Sequence, residues 1–214
     1  MGDGSAGTRT QQARGSAASG RTGRRVGRST TRTTITAAAL HEFAESGYEG
    51  ASVRSIGRLA GVDPALIAYF FGSKRGLFDE VTRLPIEAPQ VVSLVLDGER
   101  AAVGWRLAGV VLGMLASART RDAMLALVRS ASHDRETATL IRLAVVGEIL
   151  MPIATALDVS DAELRAELAL AQISGFIFAR HIVEVDAMRA SDLDRLTTAL
   201  GGVLQHCLTA PLGN

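Results

Sequence analysis

The sequence predicts an all-α protein with two domains: a small N-terminal domain of three helices in a helix-turn-helix arrangement, and a larger α-helical domain behind it. Its 214 residues are 47% hydrophobic but only 4% aromatic, a composition that suits close-packed helices. Apolar residues recur every three or four positions along most of the chain, and no stretch alternates as a strand would. Helix stop signals are closely spaced before Pro85 and widely spaced after Pro89, which separates the two domains.

The N-terminal domain has clear helix start and stop signals. Ser52 and Asp63 are good N-caps, and Pro64 occupies a first helical position, where its missing N–H costs nothing. Gly61 and Gly72 end the second and third helices. Two helices separated by only three residues form the helix-turn-helix pattern. The predicted helices are 30–46, 53–60, 64–70 and 73–84.

The second domain, residues 86–214, contains longer apolar-periodic segments. Pro152 is expected to kink or end the fourth of them, because proline cannot donate the helical hydrogen bond. Ser160 or Asp161 is expected to cap the fifth. The predicted helices are 90–97, 100–117, 121–131, 135–157, 161–185 and 190–208.

Charge is unevenly distributed along the chain. Up to Thr34 seven arginines face a single acid, Asp3, so this segment carries +6 and the remainder −5. Residues 1–28 lack apolar periodicity and are predicted to form a disordered basic arm, ahead of a domain at 29–85. Such an arm indicates a polyanionic partner. A solvated tail with no partner explains the same residues, and the sequence leaves both readings open.

The helix that begins at Pro64 has the shape that a DNA groove requires. The major groove is about 12 Å wide, so the start of a reading helix must be slim. Pro64 and Ala65 are slim, and Leu66 and Tyr69 lie three residues apart on one face. Small apolar groups there can meet thymine methyls, and a tyrosine hydroxyl can reach a phosphate or a base edge.

Three more polar residues are placed to contact the sugar-phosphate backbone. Ser52 begins a helix, whose N-terminal amides can receive a phosphate. Arg54 lies on the solvent face of the second helix and can reach a phosphate or a base. Lys74, just before the fourth helix, is a candidate phosphate clamp. Ile67 and Phe71 are expected in the core. Helix caps and solvated faces are the plainer explanation of these polar residues.

Residues 33–80 resemble the DNA-binding domain of the TetR family of transcriptional regulators. The resemblance is carried, in order and at matching spacing, by FAESGYEGAS, VRSIGRLAGV and DPALIAYFFGSKRGLF. Many members have tyrosine at the position of Ala68 and histidine at that of Phe70, so the target sequence cannot be transferred from a relative. The resemblance implies base contacts from Pro64, Ala65, Leu66 and Arg54, and phosphate contacts from Ser52, Tyr69 and Lys74.

Softer matches in the second domain imply a TetR-type ligand-binding and dimerisation domain. In such proteins the last two long helices, here 161–185 and 190–208, pair across a two-fold axis as a four-helix bundle. Ala171 and Gly175, four residues apart, would let helices approach closely. A small, largely apolar effector is expected among the preceding helices. The candidate lining residues are Trp105, Met114, Leu125, Arg129, Leu143, Met151, Gln172 and Phe176.

Other site chemistry finds little support. Ser130, Ser132, His133 and Asp134 lack the strand-turn-helix context of a nucleophile elbow and more simply cap helices. His181 and Glu184 have the spacing of a metal pair, but a hydrogen bond explains them better. No catalytic residue, metal or cofactor is therefore predicted.

The location of the protein is expected to be cytoplasmic. Polar residues break each apolar run well before the length of about 20 residues that spans a membrane, and the Arg-rich N-terminus is not a secretory signal. The lone cysteine, Cys207, fits a reducing compartment.

These observations favour a sequence-specific DNA-binding regulator, a homodimeric repressor relieved by a small apolar ligand, on a palindromic operator. A non-specific architectural DNA-binding protein that uses the basic arm is the alternative. A helical enzyme or carrier is the third hypothesis.

Overall fold

A computed structural model describes Met1, residues 22–84 and residues 87–212, with side chains described from residue 29 onward. The described residues are helical throughout their regular structure, and no strand occurs among them. The helices are α1 Thr22–Gly50, α2 Val53–Ala60, α3 Pro64–Phe71, α4 Lys74–Thr82, α5 Ala88–Leu96, α6 Val103–Ala116 after a short 3₁₀ turn at Arg100–Ala102, α7 Ala118–Ala131, α8 Arg135–Ile141, α9 Met151–Ala156, α10 Ala162–His181, α11 Asp186–Ala190 and α12 Leu193–Thr209.

The N-terminal helices α1 to α4 enclose a small core of their own. Ile35 and Phe43 from α1, Ile56 from α2, Ile67 from α3 and Phe78 from α4 are each fully buried. The rings of Phe43 and Phe78 meet edge to face, with centroids 5.0 Å apart, a favoured aromatic geometry. The apolar periodicity of the sequence predicted that these helices have buried faces, but not which helices meet.

The first helix begins earlier than the sequence predicted. Its backbone is helical from Thr22 and not from about residue 30. A helix nucleated by the buried stretch that starts at Ile35 propagates toward its N-terminus at low cost, because each added residue gains a hydrogen bond. The rest of the expected arm, residues 2–21, lies outside the described residues. At the other end Gly47, with φ 67°, interrupts the helix where the sequence predicted its stop.

Helices α5 to α12 surround a second and larger core. Its fully buried members include Val95 on α5, Ala108 on α6, Ala166 on α10 and Leu204 on α12. Helix α7 departs from α6 at 105° and lies along α1, so one face of α7 closes the N-terminal core. The two domains therefore pack against each other through α7 and are not joined by a linker alone.

Pro152 does not end its helix. Residues 135–156 are continuous, and the nine residues Arg142–Leu150 before the proline form a π-helix. The N–H of Met151 bonds to Val146, five residues back, so the wider turn accommodates a residue that cannot donate to its own i−4 carbonyl.

The segment 135–156 also differs from the sequence expectation in its hydropathy. By length and composition it could cross a membrane, as a core helix of a soluble protein also could. It contains four charged residues, and its buried residues Val146 and Leu150 join the second core.

The last two long helices are shorter than predicted. Glu184, at φ 60°, follows the end of α10, and the short α11 precedes α12. Asp161 precedes α10 without a side-chain capping bond. Asp192 caps α12 by accepting the Arg195 N–H at 2.7 Å. The helix therefore begins at Leu193, three residues after the predicted start at 190.

Candidate nucleic-acid interface

The turn between α2 and α3 is held in a tight and specific shape. Gly61 adopts the left-handed conformation with φ 65°, which favours glycine. A Cβ on Gly57 would lie 3.1 Å from the Val62 carbonyl oxygen and 3.3 Å from Pro64, so a glycine lets the turn fold against α2. Asp63 accepts the Ala65 N–H at 2.7 Å and caps α3 as the sequence predicted.

One face of α3 is exposed and slim. Ile67 is fully buried in the N-terminal core, which fixes the rotation of the helix. Pro64, Ala65, Leu66 and Tyr69 are exposed, Leu66 at 38% and Tyr69 at 63%. The structure thus brings together the four residues of α3 that the sequence proposed for DNA contact. Their contact with bases stays a prediction.

Helix α2 presents two arginines beside this face. Arg54 and Arg58 are exposed and lie one turn apart. Ser52 and Ser55 cap the helix reciprocally: Ser52 Oγ accepts the Ser55 N–H at 3.0 Å, and Ser55 Oγ accepts the Ser52 N–H at 3.1 Å. The Ser52 hydroxyl thus makes the hydrogen bonds of the cap, while the residue remains exposed to solvent. Its contact with a phosphate stays a prediction.

Lys74 is bound to the protein itself, which the sequence did not indicate. Its Nζ donates to the carbonyl oxygens of Tyr48 at 2.7 Å and Ala51 at 3.1 Å, and it lies 4.2 Å from the centre of the Tyr48 ring. These contacts satisfy carbonyls at the connector between α1 and α2. Lys74 therefore fixes that connector, and its contact with a phosphate stays a prediction.

Phe71 is half-buried and packs against the N-terminal core, at its edge and not in its interior. The guanidinium of Arg32 covers its ring at 5.1 Å and also pairs with Glu80 of α4 at 2.9 Å. Arg32 thus ties α1 to α4 at the surface, and its long side chain shields the ring from water.

A polar joint connects this DNA-facing domain to the second domain. The Arg75 guanidinium of α4 bonds to Asp134, the N-cap of α8, at 2.8 Å. Burial alone would raise the pKa of the Asp134 carboxyl, but hydrogen bonds from Thr137 and the charge of Arg75 outweigh it and lower the pKa. The Arg75 side chain is 16% exposed and that of Asp134 is 13%, so water screens this ion pair weakly.

Helix α7 supplies the other half of the joint. Ser130 Oγ accepts the Tyr48 N–H at 2.8 Å and donates to the Ala126 carbonyl at 2.6 Å. Arg129 donates to the Glu45 carbonyl at 3.2 Å, so it faces α1 and not the interior of the second domain. The role of Arg129 in an effector pocket stays a prediction. The capping role expected for Asp134 is confirmed.

Comparison with known proteins decides the family. Residues 35–81 match the family profile described as bacterial regulatory proteins, tetR family. Residues 101–208, half of the chain, match the profile described as tetracyclin repressor-like, C-terminal domain. The chain belongs to the TetR family. No curated protein matches it significantly.

Solved structures of TetR-family proteins have the same fold. The crystal structure of a TetR-family regulator from Streptomyces coelicolor is 26% identical, with a TM-score of 0.56 over 85% of this chain and 96% of that one. NalD of Pseudomonas aeruginosa, the secondary repressor of the MexAB-OprM multidrug efflux pump, is 22% identical, with a TM-score of 0.61 over 84% and 96%. A TetR-like regulator from a Rhodococcus species is 15% identical, with a TM-score of 0.61 over 82% and 94%.

TetR-family proteins are DNA-binding transcriptional regulators, and the matched regions divide as the structure does. The first covers most of α1 and all of α2 and α3, and it ends within α4. The second runs from α6 nearly to the end of α12. The exposed side of α3, with its neighbours on α2, is the candidate DNA-contacting surface, and its contact with DNA stays a prediction.

Three of the residues proposed to line an effector pocket lie on the surface of the single chain. Leu143 is 59% exposed, Gln172 is exposed, and Trp105 is 38% exposed. Trp105 lies across α12, where a Cβ on Gly201 would be 2.5 Å from its ring. The Trp105 ring thus packs against a helical glycine of α12. Their pocket-lining role is not seen in the single chain.

The remaining four candidates lie in or against the second core. Leu125 is buried, and the half-buried Met114, Met151 and Phe176 pack against that core. The flexible side chains of the two methionines can rearrange around an incoming molecule. Effector binding by these four residues stays a prediction.

A stripe of exposed small and apolar residues runs along α10. Leu164, Ala171, Gly175 and Phe178 recur at spacings of seven, four and three, so they share one face. Leu164 and Phe178 are each 49% exposed, and a Cβ on Gly175 would meet nothing within 4 Å. This apolar stripe matches the position that the sequence proposed for dimer contact.

A metal role for His181 gains no support. Glu184, its candidate partner, accepts a hydrogen bond from Arg189 at 2.6 Å. Burial lowers the pKa of His181, and the charges of Arg180 and Arg121 act in the same direction. In the parts of the chain that the structure describes, no three His, Cys, Asp or Glu side chains come together as a metal ligand set.

Proposed function

We propose that the protein is a homodimeric repressor that acts in the cytoplasm and binds a roughly palindromic operator. The exposed, slim face of α3 is the observation that carries the proposal, because capping at Asp63 and burial of Ile67 aim that face outward. A short reading helix contacts only a few base pairs. Two copies related by a two-fold axis would read half-sites about 34–36 Å apart.

The apolar stripe of α10 is the proposed dimer contact. Its small residues, Ala171 and Gly175, permit close approach, and Leu164 and Phe178 supply apolar area at either side. The exposed Val203 of α12, 44% exposed, extends the surface toward a four-helix arrangement. Burial of these side chains in a second copy would remove apolar area from water.

A small apolar ligand is the proposed release signal. Met114, Met151 and Phe176 pack against the second core, from which α7 reaches the DNA-facing domain. A ligand that enlarges this core would press α7 against α1 and alter the separation of the two α3 helices. It would relieve repression only if it binds the released state more tightly than the DNA-bound state.

Fluorescence anisotropy tests the DNA-binding proposal directly. We expect the protein to prefer a duplex from its own upstream region to a scrambled duplex by roughly a thousandfold at physiological salt. Arg54→Ala should weaken operator binding by about 1–3 kcal/mol, whereas Arg142→Ala, an exposed arginine of the second domain, should leave it unchanged. Equal losses in the two variants would contradict the assigned surface.

Deletion of residues 2–21 separates specific regulation from architectural binding. The deletion stops before α1, so it leaves the described helices intact. A specific regulator should keep most of its operator preference without the arm. An architectural protein would instead lose affinity and part of its salt dependence, because the deletion removes three of the seven arginines in the basic segment.

A further inference from the structure

We infer that operator recognition depends on apolar contact between α3 and the 5-methyl groups of thymine in the major groove. The inference rests on the proposed function, that is, on sequence-specific binding through α3. It adds the chemistry by which the site discriminates between bases.

The composition of α3 leaves few other ways to read a base. Its sequence, PALIAYFF, has one polar side-chain atom, the hydroxyl of Tyr69. The exposed face of α3 therefore consists of Pro64, Ala65, Leu66 and Ala68 beside the Tyr69 ring. The helix contributes no guanidinium, amide or carboxylate, which are the groups that pair two-handedly with guanine, adenine or cytosine.

The polar groups beside this face either cap α3 or lie on another helix. Asp63 uses Oδ1 to hold the Ala65 N–H at 2.7 Å, as the cap of α3. Arg54 is exposed on α2 and is the nearest candidate for a hydrogen bond to guanine. Direct readout by α3 itself is thus limited to apolar contact and one hydroxyl.

Thymine is the base that such a surface can recognise. It alone among the four bases carries a methyl group in the major groove, and alanine and other small apolar side chains contact that methyl. Burying one methyl group changes affinity by about fourfold, at about 0.8 kcal/mol for each buried carbon and 1.4 kcal/mol for each tenfold. A symmetric pair in the two half-sites would change affinity by about fifteenfold.

The experiment replaces thymine by uracil, which removes the methyl and leaves the base-pairing edge unchanged. An operator is first selected from random duplexes with the full-length protein. Each half-site thymine is then changed to deoxyuridine, symmetrically, and the affinity is measured by anisotropy. We expect one or two positions at which deoxyuridine weakens binding by roughly fifteenfold in the symmetric duplex.

A coupling measurement assigns the methyl to α3. Leu66→Ala should reduce the preference for thymine over uracil at one position, because the side chain and the methyl then no longer both contribute. Leu94→Ala is the matched control: Leu94 is 58% exposed on α5 of the second domain, and its variant should keep the full preference. The coupling also separates methyl contact from a change in DNA shape, which would affect both variants equally.

Each outcome has a defined meaning. Thymine dependence that Leu66→Ala diminishes supports the inference. A selected operator with no thymine in its half-sites, or one whose uracil form binds equally well, overturns it while leaving specific regulation intact. Loss of affinity with 7-deazaguanine but not with uracil also overturns it, because recognition would then run through hydrogen bonds to guanine. Failure to select any preferred sequence overturns the proposed function itself.

Discussion

Arg75 makes polar contacts that join the two domains. Its guanidinium bonds to Asp134 of the second domain and to Asp79 of its own helix at 2.9 Å. It also lies 5.3 Å from the ring centres of Tyr48 and Phe78. One side chain thus joins an ion pair, a helix cap and the aromatic edge of the N-terminal core.

The Asp134 carboxyl should make stability depend on acid pH. Its pKa is lowered in the folded protein, so its stabilisation is present above the unfolded value, about 3.9, and is lost as pH falls through the lower folded value. Asp134→Asn keeps a good N-cap but removes the charge. We therefore expect urea unfolding to show a smaller loss of stability below about pH 4 in this variant than in the wild type.

Asp192→Asn is the matched control, because Asp192 caps α12 through the Arg195 N–H. It should lose stability in acid as the wild type does. Identical acid profiles for Asp134→Asn and the wild type would mean that the ion pair with Arg75 contributes nothing to folding.

Lys74 provides a second test at the scale of a residue. Because Nζ donates to two carbonyls of the α1–α2 connector, Lys74→Ala should lower the free energy of unfolding by about 1.5–3 kcal/mol, the range for a hydrogen bond to a charged group. Denaturant unfolding measures this. A variant of unchanged stability whose DNA binding loses about one unit of salt slope would instead make Lys74 a simple phosphate clamp.

At the scale of elements, the crossing of α6 and α12 is the closest helix packing in the second domain. A Cβ on Gly104 would lie 2.2 Å from the Gln205 backbone nitrogen. The Gly104 N–H donates to Gln205 Oε1 at 2.8 Å, which fixes the register of the two helices. The glycine is therefore required by packing and not by its backbone angles.

Gly104→Ala should destabilise the protein by about 1–3 kcal/mol or more, because backbone atoms of α12 must shift to admit the methyl. Gly109→Ala is the matched control in the same helix. A Cβ there meets nothing within 4 Å, so alanine should stabilise the helix by about 0.8–1.0 kcal/mol. Thermal unfolding of both variants checks the pair, and a neutral Gly104→Ala would show that the two helices are not locked together.

The local elements were predictable from sequence because their signals are local. Ser52 and Asp63 act within three residues of their own positions, and each caps the helix that the sequence assigned to it. The start of α1 was missed, because helix propagation from a packed core leaves no cap in the sequence. The π-helix before Pro152 was missed for a similar reason, since a proline announces a disruption but not its form.

The long-range contacts were not predictable in the same way. Arg129 and Trp105 are a charged residue and an aromatic residue on apolar helices, and both suggested a pocket. Arg129 instead reaches the Glu45 carbonyl and Trp105 covers Gly201, contacts between residues more than 80 positions apart in the chain. With one sequence and no pairwise information, periodicity identifies a buried face but not the helix that faces it.

At the scale of the whole molecule, the apolar stripe of α10 predicts the oligomeric state. Gly175→Glu should convert a dimer to a monomer, because it places a charge and a long side chain where two helices are expected to meet. Operator affinity should fall with it, since one subunit reads one half-site. Analytical ultracentrifugation measures the first effect and anisotropy the second.

Gly113→Glu makes the same change at an exposed glycine of α6 with open space around it. This control should remain dimeric and bind DNA normally. A Gly175→Glu protein that still sediments as a dimer would place the subunit contact elsewhere.

The packing of α7 against α1 limits how this protein can be recombined with its relatives. A hybrid regulator is most simply made by joining two chains between α4 and α5, so that one DNA-binding domain is exchanged for another. A junction there would remove the hydrogen bond that the Tyr48 N–H donates to Ser130. It would also remove the ion pair between Arg75 and Asp134. A hybrid that joins this DNA-binding domain to a different ligand-binding domain therefore also needs the face of α7 that contacts α1, and the start of α8, from this chain.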